Sequence, residues 1–539
     1  MLLKIYSAKI QKAFKTIDWK LLLFLILFLN VKLVVKLVAI LLIYLLQFNF
    51  RFGFRLRNSR LPIFYLMVVG IAIFNWILSG GITNIHYTVA FSTGIFFWSL
   101  CILAMHQVKL SVEQNSADVL NQTITVFFLL NALVSVFIYF MIVIKTGAIN
   151  PYLYQGDYQK YFIGTGDYIK GISFDTSTTN AVLNAFGVVY FLAKKNVKMM
   201  MLCMLILLMT GSNVTNFLLV AVLLIMFIFK TDRDQKSLVF ICFLLLVIFL
   251  AKVSPQNNSY VSNYLGSIFN SEDKKPVIGN LLPIRLRPDS TLTSEERNEK
   301  IATLYLDSLY RLRNKKENEM NVHPASFIQK IEIPAADINS APYQHKSFLT
   351  PAEENMKQFI QSHSSQLPLS TNPDFNSKLP GKIVAYRQTF NFFKHYPFKI
   401  ITGTGTGNFS SKLAFKTTGL NIAGGYWQKF VYINDPFLKN HLDLYLSYFT
   451  RPDGFHSIAN NPNSVYDQLV SEYGLLGLLA FFIFYLGFFL KDFKKLTYGI
   501  PLIFLLSGIF FVDYWFEQLS IVIFFELLLF LNIKEEADK

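Results

Sequence analysis

The sequence predicts an all-α polytopic membrane protein of about 12 transmembrane helices, with one large extracytoplasmic loop domain between spans 9 and 10. Three observations carry that fold class. The chain has 539 residues, 53% of them hydrophobic and only 16% charged, which is too apolar for a soluble protein of this size. Apolar runs approaching the ~20 residues needed to cross a bilayer recur along it. The basic residues sit in small clusters at the ends of those runs, so the formal charge of +16 reads as a positive-inside pattern and not as a nucleic-acid surface.

The elements follow in order. Lys4, Lys9, Lys12, Lys15 and Lys20 precede the first run, and Arg51, Arg55, Arg57 and Arg60 follow it. With both flanks basic, Leu21 to Phe50 is expected to form a tight hairpin of two short helices turning near Asn30 to Lys32. Lys36 is then expected to snorkel to the outer interface. The alternative is one long helix with an amphipathic start lying on the surface. No small-residue cleavage site follows, so the run reads as an uncleaved anchor. Further runs are Leu61–Leu78, Val89–Val108, Ile124–Ile144, Ala181–Leu192, Met199–Met209, Leu218–Phe229 and Leu238–Val253, then Leu475–Leu490, Ile500–Val512 and Leu519–Leu531. Lys194, Lys195 and Lys198, and later Lys491, Lys494 and Lys495, mark further cytoplasmic ends, and both termini are placed inside. Cys101, Cys203 and Cys242 all fall in apolar runs, and no disulfide framework is implied.

The chain therefore divides into an N-terminal bundle of about nine spans (1–253), an extracytoplasmic loop domain (254–463) and C-terminal helices of about three spans (464–539). Within the loop, Ser290 to Met320 is charged with leucines at helical spacing and reads as a solvated helix, and Asn321 to Pro380 reads as loops or a variable insertion. Ile383, Tyr386, Phe390 and Phe393 then repeat at helical spacing up to Pro397, with Arg387, Asn391 and Lys394 on the adjoining polar face. This helix is expected to lie on the membrane or on the bundle. The glycine-rich turn I-T-G-T-G-T-G-N-F follows, with Gly403, Gly405, Gly407 and Asn408. A tyrosine-rich outer loop, Ala148 to Thr178, is expected to cover part of the same face. Ser464 and Asp467 have capping-box spacing after Pro462, so a helix is expected to start at Ser464. Continued to Leu490, it spans about 40 Å and points its N-terminus into the outer loop.

The order of many spans, a long outer loop with R-x(9)-P from Arg387 to Pro397, then G-T-G-T-G-N-F, then P-N-S-x(9)-G-L-L-G from Pro462 to Gly477, resembles the O-antigen ligase and polymerase superfamily. The resemblance implies a metal-independent, cofactor-free glycosyltransferase of the bacterial cytoplasmic (inner) membrane. Such an enzyme moves a glycan from an undecaprenyl diphosphate carrier, the lipid-linked oligosaccharide donor, to a glycan, lipid or protein hydroxyl on the extracytoplasmic side. Its partners are these substrates and membrane lipid, with no nucleic acid. An outer-loop arginine holding the diphosphate matches Arg387. The family's histidine, eleven residues before the first glycine of G-x-x-G, falls on Asn463. A second departure is T-G-S-N at Thr210 to Asn213, where many members read Ser-Arg.

Asparagine is no base near neutral pH, so it can only hydrogen-bond a hydroxyl or phosphate oxygen. The catalytic set read here is therefore His456, Asn463 and Arg387. Gly403, Gly405, Gly407, Asn408, Ser464 and Glu472 are taken as substrate-binding, with His441 and Glu472 as weaker candidates for the base. The rival readings are a lipid-linked saccharide flippase, which needs ionisable residues near the bilayer midplane, and a non-catalytic envelope assembly partner. Ligase, polymerase and protein-glycosylating activities are not separated.

Overall fold

The structure, a computed structural model, describes residues 16–55, 58–147, 149–150, 169–229, 231–253, 380–418, 426–442, 444–445, 461–491 and 493–538. Helix is the only extended secondary structure among them. The charged segment 290–320, the insertion 321–379, the tyrosines from Tyr152 to Tyr168, and His456 lie outside the described residues.

The helices run α1 (Trp19–Phe28), α2 (Leu33–Leu46), α3 (Phe64–Leu78), α4 (Ile85–Gln114), α5 (Ala117–Thr146), α6 (Ser177–Ala193), α7 (Val197–Met209), α8 (Asn213–Phe229) and α9 (Arg233–Ile248). After the gap come α10 (Gly381–His395), α11 (Lys399–Thr402), α12 (Lys412–Lys416), α13 (Asp435–Asn440), α14 (Val465–Ala480), α15 (Gly499–Ile509), α16 (Trp515–Gln518) and α17 (Ser520–Ala537). Four segments are long and apolar enough to cross a membrane: Ile85–Gln114, Ala117–Lys145, Arg233–Val253 and Val465–Leu490. Shorter apolar helices accompany them. Phe137, Ile144, Phe240 and Val247 stay exposed on α5 and α9, surface that needs an apolar solvent. The architecture is that of a helical membrane protein.

Burial sorts the bundle by sequence. From Ser177 to Leu192 on α6 and from Ser520 to Asn532 on α17 every residue is buried, polar Thr179, Asn180, Asn184 and Glu526 included, so both helices are surrounded by other helices. Asp18 caps α1 by accepting from Lys20 and Leu21 amides, and Asn30 to Lys32 make the turn into α2, so the two-helix hairpin is present and the single long helix is not. Lys36 corrects its expectation. It is 3% exposed, and its Nζ donates to the Phe28 carbonyl at 2.7 Å and to Ser520 Oγ at 2.8 Å, so it is held inside the bundle and does not snorkel.

Among the described residues, members of the basic clusters gather at one end of the helices. There Arg60 pairs with Glu113, Lys194 with Glu535 and Lys195 with Asp232, and Lys491 reaches Asn58. At the opposite end α10 to α13 cover the starts of α14 and α16.

Candidate functional site at the end opposite the basic clusters

The two glycine motifs meet each other. Gly474 breaks α14 at φ 69°, ψ −171°, a conformation open essentially to glycine alone, and the break frees carbonyls that a straight helix would have used. Thr404 and Gly405 amides take them, donating to the Ser471 carbonyl at 2.9 Å and the Glu472 carbonyl at 3.0 Å. Asn75 on α3 also donates, to the Thr402 and Glu472 carbonyls. A Cβ on Gly403 would lie 2.3 Å from the Glu472 carbonyl oxygen, and one on Gly474 2.2 Å from that of Ile401, so both positions require glycine for close approach as well as for φ.

The same turn wraps the Glu472 side chain. Its Oε2 accepts from the Gly407 amide at 2.8 Å, and its Oε1 accepts from the Phe409 and Ser411 amides at 3.1 Å each. A run of backbone N–H groups curled by left-handed glycines is an anion nest, and here the protein's own buried carboxylate fills it. Gly407 therefore presents its amide to Glu472, while Asn408 donates back to the Thr404 carbonyl.

Beside this lock, Lys382 on α10 ties two segments together by donating to the Asn463 carbonyl at 2.5 Å and the Val512 carbonyl at 2.9 Å. Asn463 is 6% exposed, accepting from Tyr445 OH and donating to Asn461. Ser464 is the N-cap position as expected, but the capping box does not form. Its Oγ donates to the Phe510 carbonyl at 3.0 Å and accepts from Tyr386 OH at 2.7 Å, so the hydroxyl is engaged outside the helix. Lys412 Nζ reaches Tyr514 OH, and Gln468 donates to Glu517 at 2.9 Å. Lys382, Lys412, Lys416, Tyr514 and Glu517 are each half-buried with protein packed closely about the charged ends, as for side chains lining a recess.

Desolvation moves these groups toward neutrality. It lowers Lys382 to about 8 against the pull of Asp513 and Asp467, and lowers Lys416 to about 8 with Lys412 adding repulsion. It raises Asp513 to about 6 and Glu517 to about 8, Glu472 adding to the second. Clusters whose environments push acids up and amines down are suited to proton transfer and to holding anions.

His441 lies in the layer behind. Its Nδ1 donates to Gln388 Oε1 at 2.7 Å, leaving Nε2 facing Thr389 Oγ1 and, 4.0 Å away, Asp467 Oδ2. Burial lowers its pKa from 6.5 to about 3, keeping the imidazole neutral. An unfolded histidine takes up a proton near 6.5 that the folded one refuses, so this residue's support is complete above that value and is lost as the pH falls toward 3. The melting temperature of the wild type is expected to fall more steeply between pH 7 and 5 than that of His441→Gln, and equal slopes would exclude the burial effect.

Of the residues singled out in the sequence, the fold brings together Gly403, Gly405, Gly407, Asn408, Glu472, Asn463 and Ser464. Arg387 is exposed on α10, sharing a face with Ile383, Phe390 and Lys394 and not the face that carries Lys382. His456 lies outside the described residues. Sequence reading missed Lys382, Lys412, Asp513 and Glu517. The available signal was the short D-Y-W-F-E-Q stretch, two acids confined between apolar runs. Thr210 to Asn213 forms the turn into α8, with Gly211 at positive φ. No group of three or more His, Cys, Asp or Glu suited to a metal ion occurs among the described residues. No family model, curated protein or solved structure matches the chain.

Proposed function

We propose that this chain is a metal-independent membrane glycosyltransferase that moves a glycan from an undecaprenyl diphosphate carrier to an acceptor hydroxyl, as a ligase or polymerase of surface polysaccharide. The observation that carries the reading is the recess where Lys382, Lys412 and Lys416 face Asp513 and Glu517 at the start of α14. Amines neutralise a diphosphate leaving group, and a carboxylate raised toward neutral pH can take the acceptor's proton. The donor reaches this mouth along the membrane surface, where Arg387 meets its diphosphate and the exposed Ile383 and Phe390 lie against its lipid. Arg387→Ala is expected to cost about 10-fold or more in turnover and Arg387→Lys less, because the charge survives without the bidentate fork. Wild-type turnover by the alanine variant would take Arg387 out of the reaction.

In this reading twelve passes leave both termini and the basic end in the cytoplasm, with 254–463 outside. The three native cysteines are buried, so single introduced ones report cleanly. A membrane-impermeant maleimide is expected to label Lys394→Cys in intact cells, and Lys494→Cys only after permeabilisation. The reverse pattern would put the recess on the wrong side for this reaction. Deletion in the native host separates the activities. Loss of long surface chains with single units retained means polymerase, and accumulation of carrier-linked chains means ligase.

A second reading, a lipid-linked saccharide transporter, draws on two ionisable residues buried in the bundle, Lys36 and Glu526, the latter 2.6 Å from Tyr65 OH. It predicts movement of donor between leaflets with the glycan–diphosphate bond intact.

A further inference from the structure

We propose that Asp513 is the general base of this site, taking the place of the histidine that the sequence lacks at position 463. The inference rests on the transfer reading above and assigns to that reaction a residue from a different loop. Its ground is geometric. The Lys382 ammonium binds the carbonyls of Asn463 and Val512 at once, so the residue after Val512 is held beside the residue before the α14 N-cap. Asp513 thereby occupies the neighbourhood that a side chain at 463 would serve, while Asn463 itself is engaged by Tyr445 and Asn461.

The carboxylate is placed to work. Its Oδ1 accepts from the Tyr514 amide at 2.9 Å, which fixes its orientation, and its Oδ2 accepts no hydrogen bond from the described residues. The groups that face it are Lys382 from α10 and Lys412 from α12, which favour its ionised form, and Asp175 from the segment before α6, which opposes it. Burial outweighs the lysines and sets its pKa to about 6, so near pH 7 it is ionised and still basic enough to accept a proton. Glu517 serves this role less well, since at about 8 it is protonated at neutral pH and accepts from Gln468.

The step balances without a co-reactant. As the acceptor oxygen bonds to the anomeric carbon, its proton passes to Asp513 Oδ2. The bond from that carbon to the diphosphate oxygen breaks, and the electron pair leaves with the diphosphate, whose added charge the lysines of the recess offset. Asp513 then returns its proton to water.

The experiment uses full-length protein in lipid nanodiscs, with undecaprenyl diphosphate as the binding probe and host-extracted lipid-linked glycan as substrate. Asp513→Asn is expected to bind the probe within about 3-fold of wild type and to lose 10²-fold or more in turnover, the scale of a general base. Asp513→Glu is expected to keep partial turnover with a displaced acid limb. The wild-type rate should fall on a single proton below about pH 6, a limb that persists in His456→Ala. A wild-type rate flat from about pH 5 to 8, a limb lost in His456→Ala, or full turnover by Asp513→Asn would each overturn the assignment while leaving glycan transfer standing. The wild-type profile reads out even where the variant fails to fold. Failure of the wild type both to bind the probe and to turn over would sink the transfer reading itself.

Discussion

Gly474→Ala is expected to unfold the end of the molecule that carries the site, with a loss on the order of 3 kcal/mol or more, from two costs that act together. The first is conformational, because φ 69°, ψ −171° is disallowed to a residue with a Cβ. The second is steric. The added carbon would sit 2.2 Å from the Ile401 carbonyl oxygen, 2.5 Å from its carbon and 2.6 Å from the Gly403 nitrogen, all backbone atoms that cannot rotate away. Relief by shifting Ile401 would break the hydrogen bonds that the Thr404 and Gly405 amides donate to the kinked helix, exposing its freed carbonyls. Gly70→Ala on α3 is the control, since nothing lies within 4 Å of the position and the helix there gains propensity. Melting in detergent should show a large drop for the first substitution and none for the second. Equal melting temperatures would mean that the two motifs are not locked together.

Glu472→Gln is expected to be nearly as damaging, although it leaves the size and shape of the side chain unchanged. The carboxylate is fully buried and accepts three backbone amides, and bonds to a charged acceptor are worth about 1.5–3 kcal/mol each in mutational terms. The amide of glutamine would turn an N–H₂ toward at least one of those N–H groups, leaving it buried and unpaired. Hydrogen exchange gives the specific readout. The amides of Gly407, Phe409 and Ser411 should be protected in the wild type and fast in the variant. Were Glu472 instead a substrate contact with no part in the fold, Glu472→Gln would melt as the wild type does and exchange at those amides would not change.

The helical hairpin of α1 and α2 was legible because basic flanks on both sides of a 30-residue apolar stretch leave few geometries open. The break at Gly474 was not, since an apolar run with two glycines reads as a continuous helix until the backbone is seen. Read one at a time, a glycine turn and a helix start both look like places for a substrate anion. In the fold, the anion that the turn's amides hold is Glu472, and the motifs are explained by each other. Lys36 was misread for the opposite reason, because snorkelling is the default for a lone lysine near a helix end and only tertiary contact supplies the Phe28 carbonyl and Ser520 hydroxyl that hold it inside. The recess was the least legible part. Lys382, Lys412, Asp513 and Glu517 come from three separate stretches, and no spacing rule joins α10 to the turn before α16.

The central claim is that a glycan leaves its lipid diphosphate at this recess, and the direct measurement is product analysis on purified protein in nanodiscs. Host-extracted lipid-linked glycan and the acceptor fraction are supplied without added metal or nucleotide sugar, and mass spectrometry follows the carrier and the glycan. Undecaprenyl diphosphate is expected to be released in a one-to-one ratio with new glycosidic bonds, and both are expected to slow by about 10²-fold or more in Asp513→Asn. Donor recovered intact, with or without movement between leaflets, under conditions where the wild-type protein remains folded, would contradict it.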